Sequence, residues 1–306
     1  MSSENETTTT ASAEAHPAEA DAPAHAVANP APARNARSWA RGVLALLALP
    51  VATWLLVRGL LAPVAGPEGV DNITFGSVWG LLLVMLQPLA LSFAMRGRVE
   101  RFALHTPGNV RDETLRVVLF GLIWLVAFAL VATLTLALFW RPAADGFAPQ
   151  YPLVGLFFFA WGGLWLGIWL GLRYLRVPAT AAQVFVGLGG VAWSTSVLWL
   201  NPWLERLSDS TTRLDAMGWL IWTSPMYGWV ERMLGTDLFR TGAMYHGADG
   251  QAAYSIIGDY VGSVPSWPSA AEMLATWLLF GAAATALGLG CASLHRYVWR
   301  RKPVVS

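Results

Sequence analysis

Residues 96–116 read Arg96-Gly-Arg-Val-Glu-Arg-Phe-Ala-Leu-His-Thr-Pro-Gly-Asn-Val-Arg-Asp-Glu-Thr-Leu-Arg116. Residues 117–140 continue as Val117-Val-Leu-Phe-Gly-Leu-Ile-Trp-Leu-Val-Ala-Phe-Ala-Leu-Val-Ala-Thr-Leu-Thr-Leu-Ala-Leu-Phe-Trp140. The second stretch carries no charged side chain, and a hydrocarbon core ~30 Å thick needs ~20 apolar residues of helix to cross it. The first is a polar island holding five arginines and three acids, groups too costly to leave in hydrocarbon without partners. The chain thus alternates between lipid-length apolar runs and water-seeking connections, which predicts an all-α, polytopic membrane helix bundle.

Composition agrees, with 55% hydrophobic and 13% charged side chains against roughly 25% charged in soluble domains. Six runs have the length of a span: 42–62, 75–95, 117–140, 152–172, 181–200 and 271–294. A seventh, 214–234, is broken by Asp215, Pro225, Glu231 and Arg232 and reads as an interfacial or re-entrant hairpin. Residues 1–37, rich in Ala, Pro, Glu and Thr, cannot bury enough apolar surface to order themselves and are expected to form a disordered tail. That tail is acidic and too long for a signal peptide. The spanning domain is then 38–295, with a polar loop at 96–116, an opposite-side segment at 201–270, and a basic end at 296–306.

Basic residues set the expected orientation. With the tail in the cytoplasm, Arg34, Arg37, Arg41, the island's arginines, Arg173, Arg176, Arg296, Arg300, Arg301 and Lys302 all fall inside, which is 14 of the 20 Lys and Arg. Cytoplasmic loops carry such an excess, so both termini are expected in the cytoplasm. The outer segment 201–270 contains Trp203, Trp219, Trp222, Trp229 and Trp267, side chains suited to the headgroup layer.

Several chemistries are disfavoured. The only lysine is Lys302, so the chain has no phosphate-cradling loop with its lysine. No ionisable side chain lies near the centre of a span, as ion-coupled transport would require. His16, His25, His105, His246 and His295 lie outside the spans or at their ends, which gives no support to intramembrane haem ligation or proteolysis. Cys291 stands alone and cannot form an intramolecular disulfide. A net charge of +1 gives no basic field for nucleic acid. The chain is read as non-enzymatic, without a cofactor or metal of its own. Polar residues within the runs, Gln87 before Pro88, Thr133, Gln183, Ser194 and Ser196, are read first as interhelical hydrogen bonders and alternatively as a translocation path. Small residues at four-residue spacing, Gly163, Gly167 and Gly171 and then Ala284, Gly288 and Ala292, predict close helix contacts.

The island resembles a stretch of the permeases of type-2 exporters of the ATP-binding-cassette (ABC) class. Glu100-Arg101, Leu104 and Thr106-Pro107 fit that pattern, while Phe102-Ala103 stands where the family has Gly-Thr and the Gly-Lys that opens its third span is missing. The layout over 38–295 is also similar, with a short inner turn at 173–180 and a Pro-centred outer segment, Trp222-Thr-Ser-Pro225-Met-Tyr-Gly-Trp-Val-Glu231. The resemblance implies a multi-pass protein of a bacterial cytoplasmic (inner) membrane, six spans, and re-entrant helices between spans five and six. It also implies pairing with a second permease copy, identical or not, and with a separate cytosolic P-loop ATPase that alone binds ATP. The docking contacts it implies are Glu100, Arg101, Leu104, His105, Thr106, Pro107, Arg111, Asp112 and Glu113. The alternative is a non-catalytic structural or assembly subunit of a larger membrane complex. An enzyme acting on lipid-linked substrates at the outer face has no residue spacing in its favour.

Overall fold

In the absence of water a backbone satisfies its polar groups most simply within one helix, and the apolar runs of this chain do so. The computed structural model describes residues 40, 43–44, 46–63, 72–99, 110–140, 149–204, 206–234 and 269–300. All lie in one unit, Trp39–Ser306. The helices are α1 Leu49–Leu61, α2 Asn72–Val99, α3 Val110–Phe139, α4 Tyr151–Tyr174, α5 Ala179–Ser194, α6 Ser196–Leu204, α7 Ser210–Thr223, α8 Pro225–Tyr227 and α9 Ala270–Arg300. The single turn α8 runs on as a π-helical turn, Gly228–Met233. Among the described residues there is no strand.

Four segments are long and apolar enough to cross a membrane: Phe75–Arg96, Leu115–Phe139, Tyr151–Tyr174 and Ala270–Cys291. The other two expected spans contain shorter helices of 13 and 16 residues, α1 and α5. In the first case helical bonding also continues ahead of α1, the Ala52 amide donating to Ala48 O at 3.0 Å and the Ala48 amide to Leu44 O at 3.2 Å. In the second case the hydroxyls of Ser194 and Thr195 donate back to the carbonyls of Gly190 and Val191 at 2.7 and 3.0 Å. Such back-bonding bends helices, and Thr195 leaves helical geometry at φ −100°, ψ 8° before α6 resumes.

Close contacts give each helix its direction. Trp54 meets Phe75 edge-on while Trp79 bonds back to Pro50, so α1 and α2 run antiparallel. Gly121 meets Leu166 and Gly155 meets Thr133, which makes α3 antiparallel to α4. Gly187 and Gly190 of α5 meet Leu89 and Pro88 of α2, again antiparallel. The exception is α4 with α9: Gly167 lies on Gly281, and Gly171 lies on Ala284 and Gly288, so these two run parallel. The end of α2, the start of α3, the turn between α4 and α5, and the end of α9 therefore share one end of the bundle. Arg96, Arg116 and Arg176 are exposed there.

The α4–α9 contact joins the two small-residue ridges seen in the sequence. A Cβ on Gly167 would sit 2.0 Å from the Gly281 carbonyl oxygen, and one on Gly288 would sit 2.6 Å from the Gly171 Cα. Thr285 ties the seam further, donating to Gly281 O at 2.9 Å and to Gly167 O at 3.4 Å. α4 ends in a Schellman turn: the Arg176 amide bonds Arg173 O at 3.1 Å and the Val177 amide bonds Leu172 O at 3.0 Å. Arg176 takes the left-handed position that usually goes to glycine, with φ 64°, and the Arg173 guanidinium donates to Val177 O at 2.6 Å.

Gly167→Ala is expected to force α4 and α9 apart and to destabilise the protein by about 1–3 kcal/mol, the usual cost of overpacking. Gly59→Ala, where a Cβ meets nothing within 4 Å, serves as the neutral control. Thermal denaturation of the two detergent-purified variants, followed by size exclusion, separates them.

Candidate functional site

Aromatic rings fill much of the described interior. Trp54, Trp79 and Trp229 meet at centroid distances of 5.3 and 5.8 Å. From Trp229 the series continues through Phe157, Trp277, Trp161 and Trp165, each step between 5.3 and 5.5 Å. Several of these indoles donate to a backbone carbonyl of another element. The clearest case is at Pro88, inside α2. Proline has no N–H, so the carbonyl four residues earlier, that of Val84, loses its helical donor. The indole of Trp161 on α4 takes that place at 2.9 Å. One turn away the Gln87 amide donates to Phe158 O at 2.7 Å, and Gly162 makes room, since a Cβ there would lie 2.5 Å from the Gln87 Nε2.

A second junction lies where α7 ends. Ser224 is extended, with ψ 118°, and its hydroxyl accepts from the Tyr227 amide to start α8. The Thr223 carbonyl is thereby left outside the helix ladder. Two indoles serve it, Trp193 of α5 at 3.0 Å and Trp277 of α9 at 3.2 Å. The chain beyond is wholly buried from Ser224 to Val230. The π turn, closed by the Leu234 amide on Trp229 O at 3.2 Å, directs Trp229 onto α2. There the ring lies against Gly80, where a Cβ would be 1.8 Å away, and its N–H donates to Gly76 O at 3.0 Å.

The residues expected to form a path are dispersed among these contacts. Gln87 lies between α2 and α4. Thr133 on α3 donates to Ala129 O at 2.8 Å. Gln183 and Ser194 belong to the buried stripe of α5 that includes Gly187 and Gly190, and Ser196 opens α6. The Gln87 Oε1, Gln183 Nε2 and Ser196 Oγ are buried with no hydrogen-bond partner within the chain. Of the expected ATPase contacts, Glu100, Arg101, Leu104, His105, Thr106 and Pro107 lie outside the described residues. Arg111, Asp112 and Glu113 fall in the first turn of α3, with side chains outside the described set.

At the opposite end, α6 and α7 expose Trp199, Trp203, Trp219 and Trp222. The Arg206 guanidinium lies 5.2 Å from the Trp203 ring centre. Asp209 caps α7; the hydroxyl and amide of Thr212 hold its carboxylate below the usual range. Among the described residues no three His, Cys, Asp or Glu side chains converge as metal ligands would. Sequence reasoning placed Trp229 at the headgroup layer, whereas it is fully buried on α2, and it did not single out the indole donors Trp161, Trp193 and Trp277. The signal for Trp161 was present, because a proline in an apolar helix announces an orphaned carbonyl four residues before it. No protein family, curated protein or solved structure matches the chain.

Because two indoles share the Thr223 carbonyl, Trp193→Phe and Trp277→Phe are each expected to destabilise modestly. The double variant should lose about 1–3 kcal/mol more than the sum, the penalty for a buried acceptor with no donor. A thermal-shift double-mutant cycle measures it, and strict additivity would refute the shared bond.

Proposed function

We propose that the chain is the membrane-embedded permease subunit of an exporter, pairing with a second permease copy and driven by a separate cytosolic ATPase that docks on residues 96–116. The observation that carries this reading is the parallel packing of α4 on α9. Two parallel spans need an odd number of crossings between them, and the uninterrupted apolar run 181–200, in α5 and α6, is suited to supply one. With α1 as the first crossing this gives six spans. The island, the α4–α5 turn and the C-terminal end then lie on one side with most of the basic residues, which by the positive-inside bias is the cytoplasm. Energy arriving from another protein fits a chain with no phosphate-binding lysine loop and no ionisable side chain at mid-span.

In this reading the Trp-rich outer end, with the buried α8 segment, enters the bundle as a re-entrant hairpin. The described aromatic side chains pack closely within one chain, and in this reading cargo passes between two copies. The same close packing suits a non-transporting assembly subunit, and partner capture separates the two readings.

From detergent extracts, wild-type protein is expected to recover a span-free P-loop ATPase, identified by mass spectrometry. Glu100→Ala with Arg101→Ala should lower that recovery about tenfold or more, as loss of interface anchors does. Absence of any ATPase with wild type sinks the permease reading and leaves the assembly subunit. Topology is tested independently in a Cys291→Ser background. A cysteine replacing His246 should react with an impermeant maleimide on intact cells and one replacing His105 should not, and the reverse pattern would overturn the orientation.

A further inference from the structure

We propose that Arg232 forms a lipid-headgroup site: its guanidinium, at the end of the bundle where α9 begins, binds the phosphate of an anionic phospholipid. Such a site needs only that the chain lie in a membrane and is independent of any ATPase.

Arg232 owes its place to a rare winding. It belongs to the π-helical turn Gly228–Met233, a form that recurs at functional sites. On an α-helix, residues five apart point about 140° away from each other. The i-to-i+5 bonding of a π turn, here the Leu234 amide on Trp229 O at 3.2 Å, brings them towards one face instead. Arg232 thereby comes over Tyr227, its Cζ 5.8 Å from the centre of that buried ring. The turn packs against α2, α4 and α9, and its neighbours in sequence, Val230, Met233 and Leu234, are buried and apolar. Arg232 itself is only partly exposed, and its Nε is buried.

A guanidinium in that position calls for an anion. It carries five N–H donors and a permanent charge, and withdrawing such a group from water is costly unless acceptors replace the water. The face of the Tyr227 ring attracts the charge but supplies no oxygen acceptor. Among the described residues the Nε has no hydrogen-bond partner and no carboxylate pairs with Arg232. Glu272, in the first turn of α9, lies within reach of the Arg232 charge, yet its carboxylate is engaged by Ser269, whose amide and hydroxyl donate to it at 2.7 and 2.9 Å.

The surroundings select the kind of anion. The apolar span that begins at Ala270 sets Glu272, and Arg232 near it, at the level where hydrocarbon gives way to headgroups. Exposed tryptophans of α6 and α7 lie at the same end, as suits that layer. Phosphate is the acceptor every phospholipid brings there, and the planar fork of an arginine matches two of its oxygens at once. Phosphatidylglycerol suits Arg232 better than phosphatidylcholine, whose phosphate is already neutralised by its own ammonium.

Full-length protein in a maltoside detergent is titrated with phosphatidylglycerol, phosphatidylcholine or inorganic phosphate and followed by native mass spectrometry and thermal unfolding. Wild type is expected to retain one phosphatidylglycerol in preference to phosphatidylcholine, and inorganic phosphate alone to leave its melting temperature unchanged. Arg232→Gln should weaken phosphatidylglycerol binding about tenfold or more, as truncating one member of a buried charge pair does. Arg232→Lys, which keeps the charge but not the fork, should weaken it less. Arg206→Gln, at an exposed arginine of the same end, should not weaken it. Without lipid, Arg232→Gln should unfold at or above the wild-type temperature, because an uncompensated charge has been removed, and with phosphatidylglycerol the order should reverse. Lipid binding that Arg232→Gln leaves intact or that Arg206→Gln weakens equally, or equal retention of phosphatidylcholine, would overturn the proposal. So would a response to inorganic phosphate alone, which would mark a site for a soluble oxyanion. A loss of stability in lipid-free Arg232→Gln, or failure of both Arg232 variants to fold, would also overturn it and make Arg232 a structural residue.

Discussion

A backbone carbonyl that loses its amide where water is excluded must find another donor, and in this bundle the donor is an indole. An unsatisfied acceptor of this kind costs about 1–3 kcal/mol, a large fraction of a typical protein's net stability of ~5–15 kcal/mol. At Pro88, inside the continuous α2, one helical hydrogen bond is missing, and at Ser224-Pro225 the chain leaves helical geometry; both free a carbonyl in the interior. Trp161 reaches the first, and Trp193 and Trp277 reach the second. Tryptophan suits this task because its flat body fills space as an apolar ring while its single N–H projects from the edge. That gives a physical use for many of the 17 tryptophans, beyond any role at the headgroup layer.

Indoles need room, and glycine supplies it. Trp229 lies on Gly80, Trp140 on Gly76, and Trp165 on Gly189, each ring occupying the space a side chain would otherwise take. Between α4 and α9 the glycines face each other instead, bringing the two backbones into direct contact. That seam has a consequence beyond packing. It fixes α9 parallel to α4, and in the six-span reading proposed above the interrupted pair α5–α6 carries the chain back across. A break at Thr195 is tolerable in such a crossing because Ser194 and Thr195 bind the nearby carbonyls themselves.

How much of this the sequence disclosed follows from the range of each interaction. Helix class and the four longest spans were legible because the apolar runs exceed the membrane length. The glycine ridges on α4 and α9 were legible as close-contact surfaces, although nothing in the sequence paired them with each other. The interruption at Thr195 was not anticipated: residues 181–200 read as one apolar run, and hydroxyl back-bonding is a local competition that hydropathy does not register. The polar residues Gln87, Thr133, Gln183, Ser194 and Ser196 share apolar surroundings in sequence, yet they fall at different helix contacts. Sequence spacing sets the face of one helix, whereas convergence on a path depends on the relation between helices. The indole–carbonyl bonds were hidden for the same reason, joining residues as far apart as Gly76 and Trp229.

The distribution of unspent polar groups bears on where function can reside. In the core, the indoles of Trp79, Trp161, Trp229 and Trp277 donate to backbone carbonyls, whereas those of Trp54, Trp124, Trp165 and Trp169, like Gln87 Oε1, Gln183 Nε2 and Ser196 Oγ, are buried with no partner among the described residues. Arginines are exposed where α2 to α5 turn, and tryptophans on α6 and α7. α2 joins the two regions: indoles fasten its first half, Trp229 on Gly76 O and Trp79 on Pro50 O, and its far end leads to the arginines.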